Sequence, residues 1–440
     1  MSLRRHRIPD DVLERLAAGA GGAQAAAWLA AIERSRNLLL IRGLLDHRPG
    51  KAAERAYDLL ARLHRQAPAA VDAVIRYPSV GVWAKRTLRA LIEGTATGWE
   101  PAQLGGVAAA AAVRAGLPCS AEAPAPGGSL LLPSVGLIEL GAEPDALVRL
   151  EIGGDGVIQV SGAGRELRHH SGEARPGWSP LEHLTSPATG LDLVVDDVDP
   201  YRWGEGDVRK DRLSADELGV WRERFEESQS ILRAHHWTLA AETRELISVL
   251  TPVEAPPHGG NSASAGDRPG TIALSTPVDG RWLAVTFAHE VQHAKLNAVL
   301  AVTELTLPDD RRYYAPWRED PRPLPGLLHG AYAFLGVAGF WRRQREADGD
   351  LRAHGEFARW RGSALEATET LLSSGRLTTE GRAFVTAARR TLSAWSAEPV
   401  PPAALEQARW EHAEHRAAFE AKHPHVTAAA GRSPTKPARP

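Results

Sequence analysis

At 440 residues and 47.4 kDa the chain is long enough to bury a sizeable core and to divide into two or three domains. Its 43% hydrophobic and 24% charged residues are ordinary for a globular protein, and a formal net charge of −2 excludes a surface built chiefly to coat nucleic acid. The one cysteine, Cys119, excludes an internal disulfide, a cysteine-rich zinc site and an iron–sulfur cluster.

In chain order, Ile8-Pro9-Asp10-Asp11 reads as a helix entry, with proline and acids where a helix N-terminus favours them. Leu13, Leu16, Trp28, Leu29, Ile32, Leu38 and Leu39 follow at near-helical spacing, and 51–66 continues an amphipathic pattern. The alanine run around 105–112 is a strong helix former. From Leu117 the composition shifts to Val, Leu, Ile, Gly and Pro. Segments 129–140, 147–152, 157–161 and 191–195 read as strands, with Gly153-Gly154-Asp155-Gly156 as a hairpin turn. Helical patterning returns from Ser214 to Leu250 with a break near Trp237. A Pro/Gly/Ser stretch, 256–270, precedes a short strand at 271–275, expected as an edge strand able to accept an extended peptide. Further helices are expected at 278–305, 327–347, 354–374, 379–395 and 403–422.

This gives a mainly α protein with an inserted antiparallel β section, of the α+β class. Its regions are a helical N-terminal part (1–116), a β-rich section (117–205), a second helical region (206–422) and a disordered tail (423–440). No run approaches the roughly 18 apolar residues of a membrane span, and no apolar signal core follows the early arginines. The expectation is a cytoplasmic protein with neither membrane nor nucleic-acid partners.

The segment that carries the most chemistry is Phe287-Ala288-His289-Glu290-Val291-Gln292-His293, an HExxH motif within a helical pattern. Four residues advance a helix by about 400°, so His289 and His293 share one face and can meet on one metal ion. Glu290 stands beside them as a base or an outer partner. A third ligand is required. Glu304 lies roughly 16 Å farther along the helix and is too distant. His329, opening the next apolar helix, is the better candidate, with Asp309, Asp310 and Asp320 open in the intervening loop. In that loop Arg318 and Arg322 stand among three prolines as stiffly presented cations, suited to pair with a carboxylate.

The string His289-Glu290-Val291-Gln292-His293-Ala294-Lys295-Leu296-Asn297 is followed by Tyr314-Ala315-Pro316-Trp317-Arg318 and Asp320-Pro321-Arg322-Pro323. Gly326-Leu327-Leu328-His329-Gly330-Ala331-Tyr332-Ala333 comes next. Together they resemble the HExxH-type peptide β-hydroxylases of ribosomal-peptide pathways, with a fainter landmark at Arg76-Tyr77-Pro78-Ser79-Val80-Gly81-Val82-Trp83. The resemblance implies an iron(II)- and 2-oxoglutarate-dependent dioxygenase that uses O2 to hydroxylate the β-carbon of a residue in a precursor peptide. It implies His289 and His293 as iron ligands and a fold unlike the double-stranded β-helix. A radical S-adenosylmethionine peptide maturase of the same pathway is an implied partner. On this reading His329 completes the metal set, Glu290 is an outer-shell residue, and Arg318 or Arg322 takes the far carboxylate of 2-oxoglutarate.

Two other readings stand beside it. One is a zinc metallopeptidase with Glu290 as general base, although the HExxHxxGxxH extension is missing. The other is a catalytically inactive, peptide-binding accessory protein that keeps the histidines as structure. The adjacent pairs His169-His170 and His235-His236 point in different directions. Asp192, Asp196, Asp197 and Asp199 read as a solvated acidic turn at a strand end.

Overall fold

A computed structural model of the chain describes residues 6–141, 146–162, 165–172, 174–204, 208–257 and 259–426. The tail expected to be disordered, 423–440, lies outside the described residues from 427 onward. Helices come first: α1 (Asp10–Ala17), α2 (Gly22–Asp46), α3 (Lys51–Gln66), α4 (Pro68–Ile75), α5 (Pro78–Glu93), α6 (Trp99–Ala102) and α7 (Leu104–Ala115). A run of strands follows: β1 (Cys119–Ala125), β2 (Ser129–Leu132), β3 (Gly136–Glu139), β4 (Ala146–Ile152), β5 (Val157–Gly162), β6 (Arg165–His170), β7 (Trp178–Pro180), β8 (Glu182–Ser186) and β9 (Leu191–Val195). Then come α8 (Ala215–His235), α9 (Trp237–Leu246), β10 (Val249–Pro252), β11 (Ser262–Ala263) and β12 (Thr271–Leu274). The chain continues through α10 (Gly280–Leu300), β13 (Arg312–Tyr313), β14 (Arg322–Pro323), α11 (Leu324–Asp348), α12 (Leu351–Ser373), α13 (Thr379–Ser396) and α14 (Pro402–Lys422). The protein is mainly helical with an inserted antiparallel β region. No closed barrel forms among the described residues, so it is not a double-stranded β-helix.

The chain divides into two compact units, one drawn from Ala30–Glu227 and Arg244–Gly280, the other from Met1–Leu29, Ser228–Thr243 and Arg281–Pro440. In the first, α7 is the central helix. Ala108 through Ala112 are all 0% exposed, and the helix packs on α3, α4 and β1. Small side chains are required there: a Cβ on Gly105 would stand 1.8 Å from the Glu122 carbonyl oxygen. The antiparallel sheet β1-β4-β5-β6 and the three-stranded β2-β3-β7 supply the remaining apolar faces of this core. A five-stranded sheet, β11-β12-β10-β9-β8, pairs β10 in parallel with both β9 and β12.

Three local expectations are corrected. Segment 129–140 is a hairpin of β2 and β3, turned through Ser134 at φ 66°. The helical reading to Leu250 overruns: α9 ends at Leu246 and Val249 opens a strand. Strand β12 is interior, covered by β11 at Ala273 and Leu274, with all four residues buried, so it is not a free edge for a peptide.

The second unit is a helical assembly of α1, α10, α11, α12, α13 and α14. Asp350 caps α12 by accepting from the Ala353 amide (2.7 Å), and Thr378 caps α13 by accepting from Gly381 (2.9 Å). A Cβ on Gly381 would lie 1.8 Å from the Leu305 carbonyl oxygen, so the start of α13 sits directly on that strand of backbone. By length and composition α11 is apolar enough to cross a membrane, contrary to the reading that no segment approaches this. Two-thirds of its most apolar stretch is buried inside the protein (67%), where it packs on α12.

Candidate functional site

Helix α10 buries Leu283, Phe287 and Val291 along one face, at 0–1% exposure, within the helical unit. A buried ion pair anchors it. Lys295 donates to Glu242 Oε2 at 2.9 Å, and the other Glu242 oxygen accepts the Gly22 amide at 2.7 Å. Gln292 adds a contact to the Gly19 carbonyl at 3.4 Å. The segment between α1 and α2 is thereby tied to α10. No sequence signal marked this pair, because its members lie on separate helices.

The i, i+4 spacing brings His289 and His293 together as expected. Their Nε2 atoms are 3.1 Å apart, with ring centroids at 4.8 Å and planes at 74°. One Nε2–H donates and the other Nε2 accepts, which requires the accepting ring to be neutral, and the donor buried beside it is neutral as well. Burial holds them so, pushing His289 down to about 4 and His293 to about 3; neighbouring His289 adds to the shift on His293 while the charge of Glu290 opposes it. His329, on α11, is lowered by burial as well. Its ring lies 5.6 Å from that of His293, tilted by 32°.

Three aromatic rings complete this surface. Phe334 is stacked between Trp317 (4.8 Å, 28°) and Trp360 (4.3 Å, 21°) and meets His289 edge-on at 5.1 Å. Gly330 makes room for Trp317: a Cβ there would lie 2.2 Å from Cζ2 of the indole. Trp360 is fixed by its Nε1–H donating to Glu356 (2.7 Å) and by the Arg359 guanidinium 4.6 Å above its ring. His289, His293, His329, Trp317, Phe334 and Trp360 are all half-buried, so each ring keeps part of its surface exposed. Sequence reasoning did not assemble it. Trp360 comes from α12, and nothing in local periodicity links that helix to the HExxH segment.

The two arginines find a partner within the protein. Strands β13 and β14 pair Tyr313 with Arg322 and close the loop into a hairpin. Arg318 Nε donates to Asp320 Oδ1 at 2.7 Å and Arg322 Nη1 to Oδ2 at 3.1 Å. The carboxylate expected from 2-oxoglutarate is supplied by Asp320. Asp309 is likewise occupied, accepting from Arg311 and Tyr313, with its pKa lowered to about 2 chiefly by the Arg311 bond.

No protein-family model and no curated protein matches the chain. The resemblance to the HExxH-type peptide β-hydroxylases therefore finds no support. Among the described residues, no group of three or more His, Cys, Asp or Glu side chains is placed to hold a metal ion. The reading as an iron(II)/2-oxoglutarate-dependent dioxygenase is corrected on these findings, and the zinc metallopeptidase falls with it. The physical reason lies in the donors. The two Nε2 atoms are paired with each other, and the third imidazole, His329, meets His293 in a ring contact at 5.6 Å with no hydrogen bond to either ring among the described residues. Glu290, 1% exposed, lies in the packed side of α10.

Proposed function

We propose that the chain is a peptide-binding accessory protein without a catalytic role, holding a peptide segment against the half-buried rings of Trp317, Phe334 and Trp360. The observation that carries this reading is the partly exposed stack of three aromatic rings beside three imidazoles that burial holds neutral. Aromatic side chains dominate binding energy at protein–peptide contacts, because each offers a large rigid area with little side-chain entropy left to lose. Here that loss is largely paid in advance: Trp360 is held by Glu356 and Arg359, and Trp317 is seated over Gly330. His329 has no hydrogen-bond partner among the described residues, which suits it to the N–H or carbonyl of a peptide backbone. On this reading the imidazoles His289 and His293 are structural, each satisfying the other.

Hydrogen–deuterium exchange with a peptide selected from a displayed library tests the assignment. Protection on binding is expected in 285–295, 313–334 and 354–362. Protection confined to other segments refutes it.

A further inference from the structure

Strand β9 runs into Asp196-Asp197-Val198-Asp199, a turn expected to be solvated. Instead Asp196 is 0% and Asp199 1% exposed. Asp196 Oδ1 accepts the amides of Val198 (3.2 Å) and Asp199 (3.0 Å), and its Oδ2 accepts the Tyr77 hydroxyl at 2.6 Å. Asp199 Oδ1 accepts the Tyr201 amide at 2.7 Å, and its Oδ2 shares a 2.5 Å hydrogen bond with the Ser79 hydroxyl in which either oxygen can carry the proton. Tyr77 and Ser79 flank Pro78, the first residue of α5, so these two bonds fasten the start of that helix to the turn after β9.

Among the described residues neither carboxylate has a cation in ion-pair contact. The surrounding charged groups are engaged elsewhere. Arg202 donates to the backbone oxygens of Asp199 (2.9 Å) and Arg209 (3.0 Å). Arg212 pairs with Asp197 at 3.0 Å. From the loop before β12, Arg268 donates to Asp267 (2.7 Å) and the Tyr201 carbonyl (3.3 Å). Arg114 of α7 donates to the Ser134 carbonyl at 3.4 Å, and Arg86 of α5 lies 5.8 Å over the Tyr201 ring. Glu100 of α6 adds a further negative charge near Tyr201. Arg202 reaches both carboxylates, and Arg114 reaches Tyr77, only through space.

Two carboxylates one turn apart, out of water and without a contacting cation, cannot both ionise cheaply, since each uncompensated buried charge costs on the order of several kcal/mol. We infer that the Asp196–Asp199 pair retains one proton at neutral pH and is a pH-sensitive latch on the start of α5, closed in acid and loosened as the pH rises. Burial, then the charge of Asp196, raises Asp199 to about 7; burial raises Asp196 too. The sign follows directly. An acid that keeps its proton to a higher pH when folded contributes stability that is complete below the ordinary carboxylate pKa. That contribution drains away as the pH climbs and is gone once it passes about 7.

The test is hydrogen exchange of the intact chain between pH 5 and pH 8, corrected for intrinsic exchange, read on amides 77–83 and 194–201. The opening constant of both segments is expected to rise roughly 50- to 100-fold and then level off. Asp199→Asn, which keeps an acceptor for Tyr201 and a partner for Ser79, is expected to flatten that rise. A flat profile in the wild-type chain, or one that falls with pH, overturns the latch without recourse to any variant. An equal rise in wild type and Asp199→Asn overturns it as well. If Asp199→Asn does not fold, Asp196→Asn takes its place with the same two outcomes.

Discussion

Replacing Lys295 by methionine removes the ammonium but keeps most of the volume of the side chain. Lys295 and Glu242 are 1% and 6% exposed, and their bond is 2.9 Å long. The variant leaves the Glu242 carboxylate buried with the Gly22 amide, at 2.7 Å, as its remaining partner. Breaking a buried ion pair from one side costs about 3–5 kcal/mol, because the surviving charge is left without compensation. The double variant Lys295→Met/Glu242→Leu removes both charges. It is expected to recover all but about 1–3 kcal/mol, the residue being the Gly22 amide left without its acceptor. Urea unfolding followed by tryptophan fluorescence measures both, with a lowered midpoint and an unchanged slope for the single variant. A single-variant loss below about 1 kcal/mol, or a double variant no more stable than the single, would refute the claim that this pair anchors α10.

Three more outcomes are expected. Gly330→Ala places a Cβ 2.2 Å from Trp317, and ejecting that indole from the stack should cost about 1–3 kcal/mol and reduce the near-UV circular dichroism of the tryptophans. His289 and His293 have pKa values of about 4 and about 3 when folded, below the unfolded value near 6.5. Their contribution is therefore complete above about 6.5 and is lost as the pH falls through 6.5 toward 4 and 3, up to about 3 kcal/mol for His289. The double variant His289→Phe/His293→Leu should remove that acid limb from a plot of unfolding free energy against pH. Arg318→Ala breaks only an exposed contact with Asp320 and should change stability by less than about 1 kcal/mol in the same urea assay.

The helices from α10 to α14 were legible because each carries a long apolar period bounded by Pro, Gly or a capping Asp or Thr. The same rule put His289 and His293 on one face. It did not determine what the two rings do once there, since a shared proton and a shared ion need the same spacing. The parallel strands β10 and β12 were harder to read. Val249-Leu250-Thr251-Pro252 is buried on both faces and shows no alternation, so it passed as the end of the preceding helix. Strand β1, Cys119-Ser120-Ala121-Glu122-Ala123-Pro124-Ala125, has little intrinsic strand preference. It exists because β4 pairs with it and α7 packs on it. The acidic turn after β9 misled for a related reason: its carboxylates look solvated until Tyr77 and Ser79, far away in sequence, arrive as hydrogen-bond partners. Asp320 likewise intercepts the two arginines that a ligand was expected to occupy.

The most direct test of the peptide-binding account is the affinity of library-selected peptides for the wild-type chain and for Trp360→Ala, measured by isothermal titration calorimetry. Truncating a central aromatic anchor is expected to weaken binding by at least roughly 30-fold, the loss typical of a hot spot, with the urea midpoint showing that the variant remains folded. Peptides that bind both proteins equally well, or a wild-type chain that yields no binder from the library, would contradict the account.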